Sequence, residues 1–339
     1  MARRDIIVMG ASLGGTEALT RLAAALPQDL PAAVLVVQHI YPDAPDLLTE
    51  RLARVASLRT TAALDGEPVE PRRIYVAVPD HHLMIEDGRI RLSRGPKESH
   101  ARPSIDVLFR SAAFSAGPRA IGVVLTGRLD DGTAGLWAIK DRGGIAIVQS
   151  PEEAPYPSMP RSALRHVEVD YTLQLADIPN ILRSLTSESI ELEERPMSDK
   201  LQIETRIALD HSALDEGVRR LGVASFYTCP ECSGSMIAIS EGSIRRFRCH
   251  TGHGYSERAL GERRVLKAQE TLWSALAQME EVEVLLRETA GADAVRNTMN
   301  EQRADELRSL TLKLREILRD EVFMVESGGE PRVGSAPDR

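Results

Sequence analysis

Cysteine is scarce in this 339-residue chain: there are three, Cys229, Cys232 and Cys249, and none in the first 228 residues. Three thiols cannot close a disulfide framework, so a disulfide-stapled secreted module is excluded and metal ligation becomes the first reading. Aromatic residues are only 4% of the chain, so its core must rest on Ala, Val, Leu and Ile. Positive charge is not in excess either: 42 Lys and Arg face 50 Asp and Glu, for a net charge of -8 at pH 7. That excludes a globally basic nucleic-acid binder, and no nucleic-acid partner is expected. No apolar run approaches the ~18 residues of a membrane span, and the start, MARRDIIVMG, has too brief an apolar stretch for a signal peptide. A soluble, cytoplasmic protein without membrane insertion is the expectation. What the chain does have is 42% hydrophobic residues, enough for a buried core, and a length that suits about two domains at ~150 residues each.

Residues 5–185 alternate short Val- and Ile-rich runs with helical patterns. Strands are expected at 6–9, 33–37, 74–78, 122–126 and 145–149, and helices at 16–25, 46–55, 105–116 and 135–142. Runs that are apolar throughout suit strands buried on both faces of a parallel sheet, so the fold class is α/β, doubly wound and mostly parallel. An Asp-Gly pair inside 83–92 suggests a hairpin inserted in that sheet. The domain expectation is a catalytic domain over 1–186 and an acidic linker with a short helix over 187–223. A zinc-ribbon-like segment over 224–256, a helical hairpin over 257–324 broken near Gly291, and a disordered tail over 325–339 complete it.

The first strand runs into Gly10-Ala11-Ser12-Leu13-Gly14-Gly15 and then a helix. Gly-x-Ser-x-Gly at a strand-to-helix turn is the pattern of a nucleophile elbow, where glycines leave room for a sharp bend. The helix N-terminus also offers free N–H groups, beginning near Leu13, to an oxyanion. Such turns often bind phosphate instead, but neither Gly-Lys-[Ser/Thr] nor Gly-x-Gly-x-x-Gly is present here. His39 ends the run VLVVQH, and Asp130 and Asp131 follow the strand GVVLT. In a parallel sheet the C-terminal ends of all strands share one rim, so Ser12, His39 and one of these aspartates converge by topology. A serine needs a histidine to take its proton, and the histidine needs an acid to fix its tautomer. The residues alone leave Asp130 and Asp131 as competitors.

Residues 5–185 resemble the catalytic domain of the chemotaxis protein-glutamate methylesterases, the CheB family. The matching segments are GASLGGTEAL, VVQHI, DGEPV with IYVAVPDHHL, RPSIDVLFRSAA, GVVLTG with DDGTAG, and SMPRSAL. The resemblance implies a Ser-His-Asp triad with Ser12 as nucleophile, His39 as general base and Asp131, the aspartate directly before Gly132, as the orienting acid. It implies oxyanion donors in the backbone N–H of Leu13 and Arg128. The implied reaction is hydrolysis of glutamate methyl esters, and deamidation of glutamines, on methylated chemoreceptor-like helices, with no cofactor needed for catalysis. Two departures stand out. Gly127-Arg128-Leu129 replaces the family's Gly-Met-Gly, and the pattern begins at residue 6, so an N-terminal receiver domain is expected to be missing and a separate regulator to take its place. Two other readings are an adaptor with an esterase-like domain that does not turn over, and a phosphate- or nucleotide-binding regulator built on the GASLGG loop.

Cys229-x2-Cys232 and, after a 16-residue spacer, Cys249-x3-His253 make two ligand pairs able to reach one tetrahedral ion. A structural Zn²⁺ held by Cys229, Cys232, Cys249 and His253 is expected. His250 is the competing imidazole, disfavoured because neighbouring residues chelate one ion poorly. Arg245, Arg246 and Arg248 beside the knuckle are expected on a solvated face or docking edge. The C-terminal helices are expected to pack as a homodimer element.

Overall fold

The computed structural model describes residues 2–43, 45–192, 195–289 and 294–319. In chain order, β1 (Ala2–Arg3), β2 (Ile6–Ala11), α1 (Gly15–Ala25), β3 (Ala33–Gln38), α2 (Leu47–Val55), β4 (Arg59–Ala62) and β5 (Arg73–Val76) lead to a hairpin, β6 (His82–Glu86) and β7 (Arg89–Ser93). Then come α3 (Ile105–Ala116), β8 (Ala120–Val124), α4 (Thr133–Asp141), β9 (Ile145–Gln149), α5 (Ser158–His166), β10 (Tyr171–Leu173), α6 (Ile178–Ser187), β11 (Ser189–Ile190) and α7 (Asp199–Ala208). The chain continues through β12 (Val223–Thr228), β13 (Ser235–Glu241), β14 (Ile244–Cys249), β15 (Gly254–Ser256), α8 (Glu257–Glu288) and α9 (Ala294–Arg319).

The central sheet has seven strands in the order β10-β9-β8-β2-β3-β5-β4, and every neighbouring pair is parallel. All six residues of β2 are buried because alternate side chains feed two cores. Ile6 and Val8 point toward Leu108, Phe109, Leu136 and Met159 from α3, α4 and α5. Ile7 and Met9 point toward Leu19, Leu22, Leu52 and Leu182 from α1, α2 and α6. This is the doubly wound α/β architecture expected from the runs. From β2 the sheet grows to β3 on one side and β8 on the other, so the loops after these three strands open onto one crevice.

Two expectations change. The 83–92 hairpin forms its own two-stranded antiparallel sheet, with Asp87 and Gly88 both at positive φ in the turn. Its Leu83, Ile85 and Ile90 join the core, and the Ile85 N–H donates to Ser111 Oγ on α3, which occupies the strand away from the main sheet. The stretch 187–223 is also not a solvated linker. Its helix α7 buries Leu201 in the main core, packs Ile203 and Ile207 against Val218, Leu221 and Ile239, and places Ala208 against Met84 and Val107.

The strands β12-β13-β14-β15 form a four-stranded antiparallel sheet, and the residues up to Leu260 make one compact unit. Fully buried Glu204 of α7 receives both Nη1 (2.8 Å) and Nη2 (2.7 Å) of Arg246, and Nη2 of Arg248 (2.7 Å). Arg248 Nη2 also donates to Glu98 Oε1 (2.7 Å), whose other oxygen takes Arg110 of α3. Arg246 pairs with Glu241 as well. Arg246 and Arg248 are therefore interior, against the expectation of a solvated arginine face, because buried carboxylates supply their charge partners. Only Arg245 of that trio is exposed, with its guanidinium 5.2 Å from the Phe247 ring centroid.

The remainder of α8 and α9 belong to a second compact unit. They lie antiparallel, tied by Arg287 to Asp305 (2.8 Å) and Arg315 Nε to Glu280 (3.0 Å), with Leu276, Ala304 and Leu318 buried. The expected break near Gly291 and the tail over 325–339 lie outside the described residues.

Removing Glu204 should leave the two buried guanidinium groups of Arg246 and Arg248 one carboxylate short, with only Glu241 and Glu98 remaining. Glu204→Ala is expected to lower unfolding free energy by about 3–5 kcal/mol, read from denaturant midpoints. Glu50→Ala, at an exposed pair with Arg54, should change it little.

Candidate active site

Ser12 follows β2 directly, and its backbone is pinned on both sides. Its N–H donates to Thr126 O (3.0 Å) beyond β8, and the His39 N–H donates to Ala11 O (3.2 Å) beyond β3. The parallel ladders thus run one step past the strands and carry both side chains to the same rim. Gly14, at φ 76°, turns the chain into α1. Gly127 lies directly beneath the serine: a Cβ there would sit 2.9 Å from Ser12 Cβ and 2.0 Å from Met159 Sδ. Ser12 can occupy this bend only over a glycine.

Ser12 Oγ lies 3.1 Å from His39 Nδ1, and His39 Nε2 lies 2.7 Å from Asp131 Oδ2. The line serine, imidazole, carboxylate is continuous, with Nδ1 facing the serine. A tautomer protonated on Nε2 donates to Asp131 and leaves the Nδ1 lone pair for the Ser12 proton. The two competing aspartates meet different partners. Asp131 meets His39, whereas Asp130 Oδ1 accepts from Ser256 Oγ at 2.7 Å.

Asp131 is 4% exposed and stays ionised through its partners. Burial opposes its charge, yet the His39 hydrogen bond and the N–H groups of Ile105 (2.8 Å) and Asp106 (3.0 Å) hold its carboxyl below the usual range. Ser104 Oγ and the Gly132 N–H complete the shell. Ile105 and Asp106 open α3, so the acid is seated on that helix's positive end. Asp106, buried beside this negative charge, is pushed up by burial and by Asp131, and it accepts from the Gly135 N–H at 2.7 Å.

His82, Ser104 and Asp106 belong to the site's support but escaped the sequence reading. RPSID carried no motif of its own, and a serine opening a helix reads as an ordinary cap. His82 is buried, donates from Nε2 to Pro96 O (3.1 Å) and accepts the Ser104 N–H at Nδ1 (3.3 Å). The Leu13 N–H has no acceptor among the described residues. Arg128 is half-buried in the loop before Asp131, and the next residue, Leu129, has φ 61°, an uncommon conformation for a branched side chain.

The sequence profile of the CheB methylesterase family matches residues 7–182. The chain belongs to this family. A protein-glutamate methylesterase/protein-glutamine glutaminase 2 from Anaeromyxobacter dehalogenans is 40% identical over 185 residues, covering 55% of this chain and 54% of that protein. A Leptospira interrogans protein is 36% identical over 188 residues and is covered over 97% of its length. The crystal structure of the Thermotoga maritima CheB methylesterase catalytic domain superposes with a TM-score of 0.52 at 33% identity, over 55% of this chain and all of that one. The chain spans about half the length of the first of these relatives and nearly all of the second.

Cys229, Cys232, Cys249 and His253 of this CheB-family chain lie beyond the matched region, at two facing turns of the β12–β15 sheet. The Cys229 turn closes with Ser233 N–H on Cys229 O (2.9 Å), and the second with Gly252 N–H on Cys249 O (2.9 Å). The donor atoms of Cys229, Cys232, Cys249 and His253 all lie within 4.8 Å of one another. Cys232 Sγ is 3.6 Å from Cys249 Sγ, and His253 Nδ1 is 3.7 Å from Cys229 Sγ and 3.6 Å from Cys249 Sγ. His250 is outside the group, its ring lying over Gly234. His253 Nε2 faces Glu231 Oε2 at 3.5 Å, leaving Nδ1 to the thiols.

The buried imidazole of His82 sets a pH dependence. Burial lowers its pKa from 6.5 to about 4, so between these values the unfolded chain takes up a proton that the fold refuses. Stability is then complete above pH 6.5, falls as the pH drops toward 4, and levels off below. At about 1.4 kcal/mol per pH unit this amounts to a few kcal/mol. Denaturant curves across pH 4–7 should show that loss, and His82→Gln should flatten it.

Proposed function

We propose that the chain is a serine hydrolase that removes methyl groups from γ-glutamyl methyl esters, and deamidates glutamines, on the cytoplasmic helices of chemoreceptor-like proteins. The observation that carries this is the unbroken Ser12–His39–Asp131 contact line at the rim of a parallel sheet. Ser12 Oγ attacks the ester carbonyl as its proton passes to His39 Nδ1, and the imidazolium that forms is stabilised by Asp131. Methoxide leaves as methanol on taking that proton, and an acyl-serine remains. Water then attacks the acyl group, His39 again taking the proton, and the carboxylate is released. The Leu13 and Arg128 N–H groups are assigned to the oxyanion, as the resemblance to the family implies.

For the Cys/His sheet we propose a structural zinc ion. Four donors at 2.0–2.3 Å from a tetrahedral ion stand about 3.3–3.8 Å apart, and three of the Cys/His separations, at 3.6–3.7 Å, fall in that range. Glu231 on the far nitrogen of His253 supports the same reading, as a carboxylate partner fixes a ligating ring. Three thiolates and an imidazole fill the ion's coordination, so it would supply folding energy rather than chemistry. For the helical hairpin we propose self-association, supported by the exposed Trp273, Val282, Leu285, Leu310, Leu312 and Ile317.

Methanol release from a methylated receptor fragment tests the hydrolase. Ser12→Ala, His39→Ala and Asp131→Asn should each reduce turnover by orders of magnitude while leaving the thermal transition in place. Wild-type turnover in Ser12→Ala would discard the triad. Serine-directed phosphonate labelling separates an adaptor, which would bind receptor without turnover, from a hydrolase. Elemental analysis should find about one zinc per chain, and Cys232→Ser should reduce it.

A further inference from the structure

The sheet that carries the thiols touches the loop of the catalytic acid at neighbouring positions. Leu129 packs into the sheet's own apolar cluster, which is built from Cys229, Met236, Phe247, Cys249 and Tyr255. Asp130, next in the chain, accepts from Ser256 Oγ at the end of β15. A third link is ionic: Arg248 of β14 holds Glu98, and Glu98 holds Arg110 on α3, the helix whose first N–H groups seat Asp131. Three features of one sheet therefore bear on one carboxylate and on the loop before it.

The 127–131 loop is tied by its backbone on either side of Leu129. The Gly127 N–H donates to Tyr156 O and the Thr133 N–H to Asp130 O, while Leu129 sits between them in the left-handed region. Nothing in a leucine favours that backbone conformation, and its side chain is anchored against the sheet's apolar cluster. Arg128, assigned to the oxyanion, and Asp131 lie one and two residues away. A displacement of about 1 Å at such positions costs on the order of a hundredfold in rate.

We propose that the Cys229–Cys232–Cys249–His253 sheet is a clamp that keeps the 127–131 loop in catalytic register, with Leu129 as its positioning residue. The inference rests on the hydrolase reading above for its kinetic consequence. Two metal donors, Cys229 and Cys249, belong to the same apolar cluster against which Leu129 packs. Filling the metal site and holding the acid loop are thus one packing arrangement, and loss of the ion loosens both.

The test uses the full chain, with and without its metal, and three variants. Leu129→Ala and Leu129→Gly should each lower kcat on a small ester at least tenfold with KM within twofold. Leu129→Met, which refills the seat, should restore at least half. Glycine is the discriminating variant, since it removes backbone strain as well as the anchor: a rate at or above wild type would overturn the clamp. Chelation with phenanthroline should lower kcat in the wild type at least tenfold but in Leu129→Gly less than twofold further, because the link is already cut. Equal losses in both, or none in the wild type, would overturn the proposal. Amide hydrogen exchange over 127–132 should quicken on chelation in the wild type. That readout needs no turnover, so quickened exchange in a protein that hydrolyses no ester would uphold the clamp and discard the hydrolase. Unchanged exchange would discard the clamp alone. If chelation unfolds the chain, the three Leu129 variants decide in the metal-loaded protein.

Discussion

A buried carboxylate is the constraint around which this molecule is arranged. Asp131 must stay charged to serve His39, yet it is withdrawn from water, and an unpaired charge in that position would cost several kcal/mol. The structure meets the demand with the N-terminus of α3 and the Ser104 hydroxyl. That solution dictates much else. Helix α3 has to begin against the β8–α4 loop, Gly135 has to let α4 close on Asp106 and Phe109, and His82 has to remain neutral behind Ser104.

The same helix explains why the C-terminal sheet is not an appendage. Arg110 lies one turn beyond Asp106 on α3, and its charge needs an interior partner. Glu98 provides it, but Glu98 also faces Arg248, and Arg248 and Arg246 both require Glu204. Each charge is tolerable only because the next is present. Such a chain contributes less to net stability than an apolar core of the same size, but it makes the position of α7 and of the sheet highly specific, since a shifted register would leave an ion unpaired.

Much of this was legible in the residues. Continuous Val and Ile runs identified the parallel strands, and the glycines around Ser12 identified the bend, because both signals are local. His39 and one of Asp130 and Asp131 could be brought to the same rim by topology alone, and the family resemblance implied Asp131. The spacing of Cys229, Cys232, Cys249 and His253 marked one site, and the structure gathers those four donors. What was not legible was the pairing of charges across long separations. Glu204 sits in a stretch rich in acids and Arg246 and Arg248 in a basic run, so composition spoke for solvent on both counts. Their burial follows from each other and is invisible to either alone. Leu129 was visible as a departure from the family's glycine, but its left-handed backbone and its packing against the C-terminal sheet's apolar cluster belong to the tertiary structure.

The contact between Glu98 and Arg248 spans 150 residues of chain. At about 5–20 residues per second, synthesis separates the two by roughly 8–30 s. Within that interval the parallel sheet is fully translated, and Glu98 and Arg110 have each other. Leu129 and the Asp130 side chain meet the C-terminal sheet only once β14 and β15 leave the ribosome. The order of manufacture thus makes the acid loop the last part of the catalytic rim to be secured, and a nascent chain carries a formed sheet before it carries a finished site.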